Sequence, residues 1–380
     1  MHISVKNKAI VIGGNHYNTL GVIRSLGEKG VPVYLILISE KENYICKSKY
    51  VTKFWQVIKS EKEIINVLLN NFDDEEFKPV IMPTSDFGVE VLDKNFNLFK
   101  NKYILPNIDN SEGKITYLMN KKIMNEIAFE SGLTVPKSFE VELNNKEICL
   151  PEEIIYPCIV KPLSSIDGKK EDIVVCKNEL ELKKSLLDLK QDYHIVLIQE
   201  YIYGPDSKMI EIIGCVTTNG KEIIIPAIIE KIREYPLMAG STSYALATTE
   251  SQYINNNNIH AFLKKLNYTG IFDLEFKYAN GKTYFIEINF RNGAPGYALT
   301  KRGINIPYIW YLEATGQNID NINKKISENF NFMMEVRDFR HVLKGDVKIY
   351  SWIKDLINTK VFLFFNFKDM KPAISRIVGK

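Results

Sequence analysis

Three oxygen-bearing side chains, Glu275, Glu287 and Asn289, sit inside two otherwise apolar stretches, GIFDLEFKY and TYFIEINFR. Residues two apart on a strand share a face, so Glu287 and Asn289 point the same way. The Asn280-Gly281 pair between the stretches is a two-residue hairpin signal and folds Glu275 back beside them. Oxygen ligands converging from adjacent strands suit Mg²⁺, a hard cation that also keeps phosphate and water oxygens, with Mn²⁺ as a substitute. Arg291 continues the same alternation and could clamp a phosphate or an acyl phosphate. The plainer alternative is a solvated face with ordinary cross-strand pairs. Against it, Phe272, Leu274 and Phe276 flank one glutamate, and Phe285, Ile286 and Ile288 flank the other.

Other cations are placed awkwardly for a surface role. Lys161 closes the apolar run YPCIVKP just before a proline. A buried ammonium there needs a partner, which phosphate would supply, unless the chain snorkels to solvent. In EKIREYP, Lys231 and Arg233 alternate on one strand, and two cations facing one way call for an anion. Arg233 reads as a contact to a triphosphate or a substrate carboxylate; Lys231 is open between that role and a surface pair. Gly240 to Ser243 reads as a loop that closes over an acceptor or donor. His341 has no second ligand or base at useful spacing and reads as structural.

The elements that must position these groups alternate between strand and helix. The run KAIVIG (8–13) leads through Gly13-Gly14 into a helix from Asn18 to Lys29 and a strand from Val31 to Ile38. That order is a βαβ unit, hence a parallel sheet with helices on its faces. A further strand, Val80 to Met82, ends at Pro83-Thr84-Ser85-Asp86, and open α/β sheets place ligands at such carboxyl ends. The glycine pair lacks GxGxxG spacing and is either a tight turn or a substrate contact. Residues 116–131 have helical spacing and stop at Gly132. Strands follow over Ile154–Val160, Ile173–Cys176 and Ile195–Gln199, with a helix over Glu179–Leu189 and a turn at Gly204-Pro205-Asp206. Ile210–Val216 and Glu222–Glu230 read as a hairpin joined at Asn219-Gly220.

Bulk properties exclude several classes. Hydrophobic residues make up 45% and charged residues 25% of the 380, an ordinary globular balance. A net charge of +3 implies no nucleic-acid partner. Five scattered cysteines without a CxxC pair read as reduced thiols in a cytoplasmic protein. The first apolar run is too short for a signal peptide, and no run reaches the roughly 18 residues of a spanning helix. VFLFFNF (361–367) reads as a buried strand or helix edge, with a peripheral membrane contact as the alternative.

Four pieces in order resemble the ATP-grasp family of carboxylate–amine ligases, over about residues 8–315. They are NKKIMNEIAFESGLTVPKS, YPCIVKP, VLIQEYIYGPD and GIFDLEFKYANGKTYFIEINFRNGAPG. The resemblance implies an α/β ATP-grasp fold: a Rossmann-like pre-ATP-grasp domain (1–112), an ATP-grasp domain (113–315, with subdomains about 135–202 and 203–315) and a C-terminal extension (316–380) packed on that core. It implies that Lys121 and Lys161 bind ATP phosphates, with Glu200, Tyr201 and Ile202 at the adenine edge and Asp206 on the ribose. Glu275, Glu287 and Asn289 would hold Mg²⁺, and Arg233 and Arg291 would act on the reacting groups. The 164–170 loop, SSIDGKK, would be a glycine-poor flap over the phosphates. The implied reaction joins a carboxylate to an amine through an acyl phosphate. GGN, PTSD and the tail segments RDFRHVLKGD, WIKDL and FKDMKP resemble the D-aspartate-ligase-like group. That group implies an amino-acid substrate in cell-surface or small-peptide synthesis. Another ATP-grasp reaction, carboxylase-like or nucleotide-biosynthetic, and a non-catalytic ATP-binding protein are the alternatives. The expected partners are small molecules, with no membrane insertion; a homodimer is compatible with the sequence.

Overall fold

The apolar run Ala9–Gly14 forms β1, and its neighbours are β2 (Val33–Ile38), β3 (Val51–Val57) and β4 (Val80–Pro83). They make a parallel sheet in the order β3-β2-β1-β4. A parallel strand covered on both faces has to be apolar throughout, as β1 is. β3 escaped the sequence reading because it is an edge strand with exposed Thr52 and Lys53. The helix Tyr17–Gly27 follows β1, and His16 Nδ1 caps it by accepting from Asn18 N at 3.2 Å. Gly13 is required here: a Cβ would lie 1.8 Å from Thr84 Oγ1. Ser85 caps the helix Asp86–Lys94, so His16 and Asp86 stand together beyond the carboxyl ends of β1 and β4. Structure is described for all residues except 1–4, 145–147, 164–171, 206–207, 219, 221, 238–239 and 379–380 of this computed structural model.

A short strand, β5 (Asn107–Ile108), leads to the region expected to be one helix over 116–131. Two helices stand there instead, Lys114–Leu118 and Lys121–Glu130. Asn120 restarts the second, its side chain accepting from Lys122 N and Ile123 N. Lys121 thereby becomes the first residue of a helix. Next come β6 (Ser138–Glu142), β7 (Cys158–Pro162), β8 (Val174–Cys176) and β9 (Ile195–Glu200), an antiparallel sheet ordered β6-β9-β7-β8. The helix Glu179–Leu189 covers it, burying Leu182 and Leu186 against Val160 and Ile198. Cys158 and Cys176 face each other across β7 and β8 as buried thiols.

The large sheet takes its strands from the remaining chain. They are β10 (Met209–Val216), β11 (Ile223–Ile224), β12 (Ile228–Tyr235), β13 (Ser241–Thr248), β14 (Tyr268–Ala279), β15 (Lys282–Asn289), β16 (Phe330–Met333) and β17 (Val361–Phe362). The order is β15-β14-β10-β12-β13-β16-β17, with β11 on β10 and β5 on β14. Two expectations change. Pro226, which cannot donate to a ladder, separates β11 from β12 where one strand was read. Ser241–Ser243 opens β13 rather than forming a loop. The Asn280-Gly281 turn behaves as expected, with φ of 50° and 76°, the two left-handed positions a type I′ hairpin needs.

Residues beyond 316 add β16 and β17 to this sheet and the helices Glu335–Lys344, Ile349–Asn358 and Lys371–Val378. Of the aromatic run read as a buried strand or helix edge, Val361–Phe362 is strand, Leu363 and Phe364 beyond it are buried, and Phe365 and Phe367 are exposed. The tail is fastened to the first helix by a fully buried ion pair, Arg24 Nε to Asp369 Oδ2 at 2.9 Å. Arg24 also donates to the carbonyls of Leu363, Phe364 and Asp369. Breaking a buried pair on one side strands a charge. Asp369→Ala is therefore expected to cost about 3–5 kcal/mol in urea unfolding. A loss below about 1 kcal/mol, the range of a surface pair, would show that Arg24 finds another counter-charge.

Candidate functional site

All three sheets contribute to one cleft of about 770 Å³. The parallel sheet supplies His16 and Thr84–Asp86, and the helix start supplies Lys121. The small sheet supplies Ile159, Lys161 and Gln199, and the exit from β9 supplies Glu200, Tyr201 and Ile202. The large sheet supplies Glu211, Lys231, Glu234, Asp273, Glu275, Lys277, Glu287, Asn289 and Arg291.

The hairpin register places Glu275 opposite Glu287 and Asp273 opposite Asn289. On the other side of β14, Glu211 lies opposite Glu275. Three glutamates therefore stand in one row across β10, β14 and β15, with an aspartate and an amide one step along the same face. Burial, the neighbouring Glu287 charge and that of Glu211 push the Glu275 carboxyl up to about 8, against the pull of Lys231. Burial, Glu211 and Glu275 raise Asp273 well above the carboxylate range. Asp273 Oδ1 and Glu211 Oε2 are buried without a hydrogen-bond partner among the described residues. Crowded carboxylates with unsatisfied oxygens are the donor set that a divalent cation completes, so the residues fit Mg²⁺. Among the described residues no three His, Cys, Asp or Glu side chains are arranged to hold a metal alone. Glu275, Glu287 and Asn289 offer two carboxylates and an amide, leaving coordination positions for phosphate oxygens.

Facing this acidic wall are the two lysines named from sequence. Lys161, at the end of β7, is buried and donates to Gln199 Oε1 at 2.8 Å. Burial and the Lys121 charge lower its pKa to about 8. Lys121 Nζ donates to Pro162 O at 3.2 Å, beside it. Two ammonium groups held near each other are relieved by an anion between them. Glu200, Tyr201 and Ile202 border the cleft where Tyr201 N donates to Pro157 O at 3.1 Å. Apolar Ile159, Met209 and Ile286 line the same cleft and give it surfaces against which a planar base could stack. Asp206 and the 164–170 loop lie outside the described residues.

Arg291 is in the cleft wall, donating to Asp86 Oδ1 at 2.7 Å and to Asn289 Oδ1 at 3.1 Å. Lys231 is there too, but its ammonium is 2.9 Å from Glu234 Oε2 and 3.7 Å from Glu211 Oε1. Burial alone would discharge it; Glu211, Glu275 and Glu234 outweigh that and hold its pKa above the usual value. Its surroundings make it a counter-charge to the glutamates as much as a ligand contact.

Arg233 is a correction. It does not line the cleft. Register shifts on both sides of Arg233 break the β12 alternation, so Lys231 and Glu234 face the cleft while Arg233 turns away. Its guanidinium is held by Asp338 at 2.8 Å and Asp355 at 2.6 Å and stacks over Tyr244. It fastens the C-terminal helices to the sheet.

Glu211, Asp273, Glu234 and Lys277 were missed by the sequence reading. The signal was available for two of them. Glu211 is a lone acid inside MIEIIGCV, and Asp273 is two residues before Glu275 on the same strand face.

A family model described as the carbamoyl-phosphate synthase L chain, ATP binding domain, matches residues 120–302. A D-aspartate ligase of Enterococcus faecium is 24% identical over 258 residues, 64% of this chain and 60% of that protein. A carbamoyl phosphate synthase large chain of Clostridium acetobutylicum is 24% identical over 302 residues, 76% of this chain and 27% of that protein. The matches thus span less than two thirds of these curated relatives. The L-amino acid ligase of Bacillus licheniformis has a similar structure, with TM-score 0.64, 15% identity and coverage of 86% of this chain and 80% of that one. The N5-carboxyaminoimidazole synthetase of Staphylococcus aureus complexed with ADP gives TM-score 0.64, 16% identity, and coverage of 90% and 86%. At these identities the structural likeness is one of fold.

Two outcomes follow from the charges. With metal chelated, ADP affinity should fall as pH rises through about 8, where Lys161 loses its proton, by at most about tenfold per pH unit for one proton. Lys161→Arg should flatten that decline in a calorimetric titration, because a guanidinium stays charged. An unchanged slope in the variant would remove Lys161 from the phosphate site. Arg233→Ala should lower stability by about 3 kcal/mol, by stranding Asp338, while leaving ADP affinity unchanged. A weakened affinity in a folded variant would return Arg233 to the ligand.

Proposed function

We propose that the chain is an ATP-grasp protein and an ATP-dependent ligase joining a carboxylate to an amine, with an amino acid as one substrate. The observation that carries this reading is the opposition of charge in a single cleft. A row of carboxylates on the large sheet faces Lys121 and Lys161 on the other wall. A triphosphate with its metal ion is the ligand that satisfies both walls at once. The matched ATP-binding domain and the ADP-bound structural neighbour support the nucleotide. The D-aspartate ligase relative and the L-amino acid ligase neighbour support the amino-acid substrate.

In this reading Glu275, Glu287 and Asn289 would hold Mg²⁺, which would supply neutralisation of phosphate charge. Lys121 and Lys161 take up phosphate charge; Glu200, Tyr201 and Ile202 border the base. A substrate carboxylate oxygen attacks the γ-phosphorus, giving an acyl phosphate and ADP. The amine nitrogen then attacks the acyl carbon, phosphate leaves with the C–O bond, and the nitrogen gives up a proton. Such chemistry needs positioning and charge stabilisation more than covalent help. Arg291 is suited to the transferred group: Asp86, Asn289 and the Asn292 carbonyl engage four of its N–H groups and pre-orient the one that remains. Asp206 completes the proposal at the ribose.

Phosphate release with ATP, Mg²⁺ and a matrix of amino-acid pairs tests the reading. Release that needs both an amino-acid carboxylate and an amine is expected. Glu287→Gln should reduce it by about 100-fold or more, the several kcal/mol of charge stabilisation a metal site supplies. Release on bicarbonate without an amine would replace this reading with a carboxylase-like one. Full activity in the glutamine variant would remove Glu287 from the metal.

A further inference from the structure

The last 41 residues carry a charge unlike the rest of the chain. From Arg340 to Lys380 there are nine Lys and Arg against three Asp and no Glu, whereas the preceding residues are together net negative. The three aspartates do little to offset this at the surface. Asp369 is fully buried against Arg24, Asp355 is turned to Arg233 at 2.6 Å, and Asp346 faces His341 at 3.1 Å.

Within this basic segment the helix Ile349–Asn358 has no buried residue. Its inner side is nonetheless defined: Trp352 donates to Asp338 Oδ2 and packs on Phe339, and Asp355 meets Arg233. At about 100° per residue, Ile349, Tyr350, Ile353 and Ile357 fall in one arc of about 100° pointing away from that side. Their exposures are 49%, 68%, 46% and 77%. Single exposed apolar side chains are ordinary, but four on one helical stripe are not. Lys354 is exposed on the helix beside the stripe, Lys348 and Lys360 are exposed just beyond its two ends, and Leu343 and Lys344 at the end of the preceding helix repeat the pairing of apolar and basic residues.

We infer that this C-terminal helix is a docking surface for an anionic membrane face, on which it lies without crossing. An apolar stripe with a lysine beside it and one beyond each end matches the two demands of a lipid interface: the stripe enters the acyl boundary and the ammonium groups meet anionic headgroups. A protein partner would be expected to bring carboxylates to the lysines as well as apolar groups to the stripe. The lipid surface supplies both over any orientation of a short helix. The helix is too short to span a bilayer, in keeping with the absence of any spanning helix among the described residues. This surface lies outside the cleft and stands or falls independently of the ligase reading.

Co-sedimentation of the full chain with vesicles decides the matter. Binding is expected to phosphatidylcholine vesicles containing phosphatidylglycerol, and not to phosphatidylcholine alone, with release as salt rises. Ile353→Glu with Ile357→Glu should lower the bound fraction by about tenfold. Circular dichroism and ADP affinity should be unchanged in that variant, since both residues are exposed and away from the cleft. Replacing Lys348 and Lys354 by Glu should abolish the preference for anionic vesicles. Three results would overturn the proposal: no binding to either vesicle, equal binding by the isoleucine variant, or a dimer in gel filtration that this variant breaks while vesicles are ignored. The last would assign the face to a second copy of the chain.

Discussion

Carboxylates crowded on one face of a buried sheet are the constraint around which this molecule is arranged. Two like charges about 4 Å apart at an effective dielectric of about 20 repel by about 4 kcal/mol. Glu211, Glu275 and Glu287 are neighbours across three strands, and Asp273 adds a fourth acid. The surroundings answer this in three ways. Lys231 and Arg291 are placed beside the acids, Thr242 donates to Glu211 at 2.7 Å, and the pKa values of Glu275 and Asp273 rise. Part of the demand is still unmet, as the unpartnered Asp273 and Glu211 oxygens show.

Residues next to the acidic row link the sheets to one another. Arg291 follows β15 yet is gripped by Asp86 at the end of β4, 205 residues away in sequence. Next to it, Asn292 donates to Asn18 Oδ1 at 2.7 Å while Asn18 donates back to Asn292 O at 2.6 Å. The parallel sheet is thus attached to the large sheet beside the acidic row.

Local chemistry made part of this legible in the sequence. The Asn280-Gly281 turn sets one register, and one register sets which residues oppose Glu275. A lysine closing an apolar strand before proline likewise has few explanations, so the unusual burial of Lys161 could be read without a structure. What was not legible depends on irregularity or on distance. The bulge in β12 leaves no mark in EKIREYP, so period-two counting put Lys231 and Arg233 on one face. The two acids that hold Arg233, Asp338 and Asp355, come from 105 and 122 residues later. β13 begins with Ser-Thr-Ser, whose composition suggests a loop, and only its neighbours β12 and β16 make it a strand. The break before Lys121 was visible in principle, because Asn120 is a good helix cap. Helical periodicity on both sides of it hid the restart.

Segregation of charge also bears on the order in which ligands would fill the cleft. A nucleotide without metal would relieve Lys121 and Lys161 but bring further negative charge up to the glutamates. A metal ion without nucleotide would relieve the glutamates but have to strip water for only two carboxylates and an amide, with Lys231 and Arg291 already beside them. Mg²⁺ gives up its waters reluctantly and favours sites where phosphates share the coordination. A metal–nucleotide complex would answer both walls together, and each half of it would then strengthen the binding of the other. Such coupling is reciprocal by thermodynamic necessity. The lowered pKa of Lys161 and the raised pKa of Glu275 both come first from burial, with the Lys121 charge beside the one and the Glu287 charge beside the other.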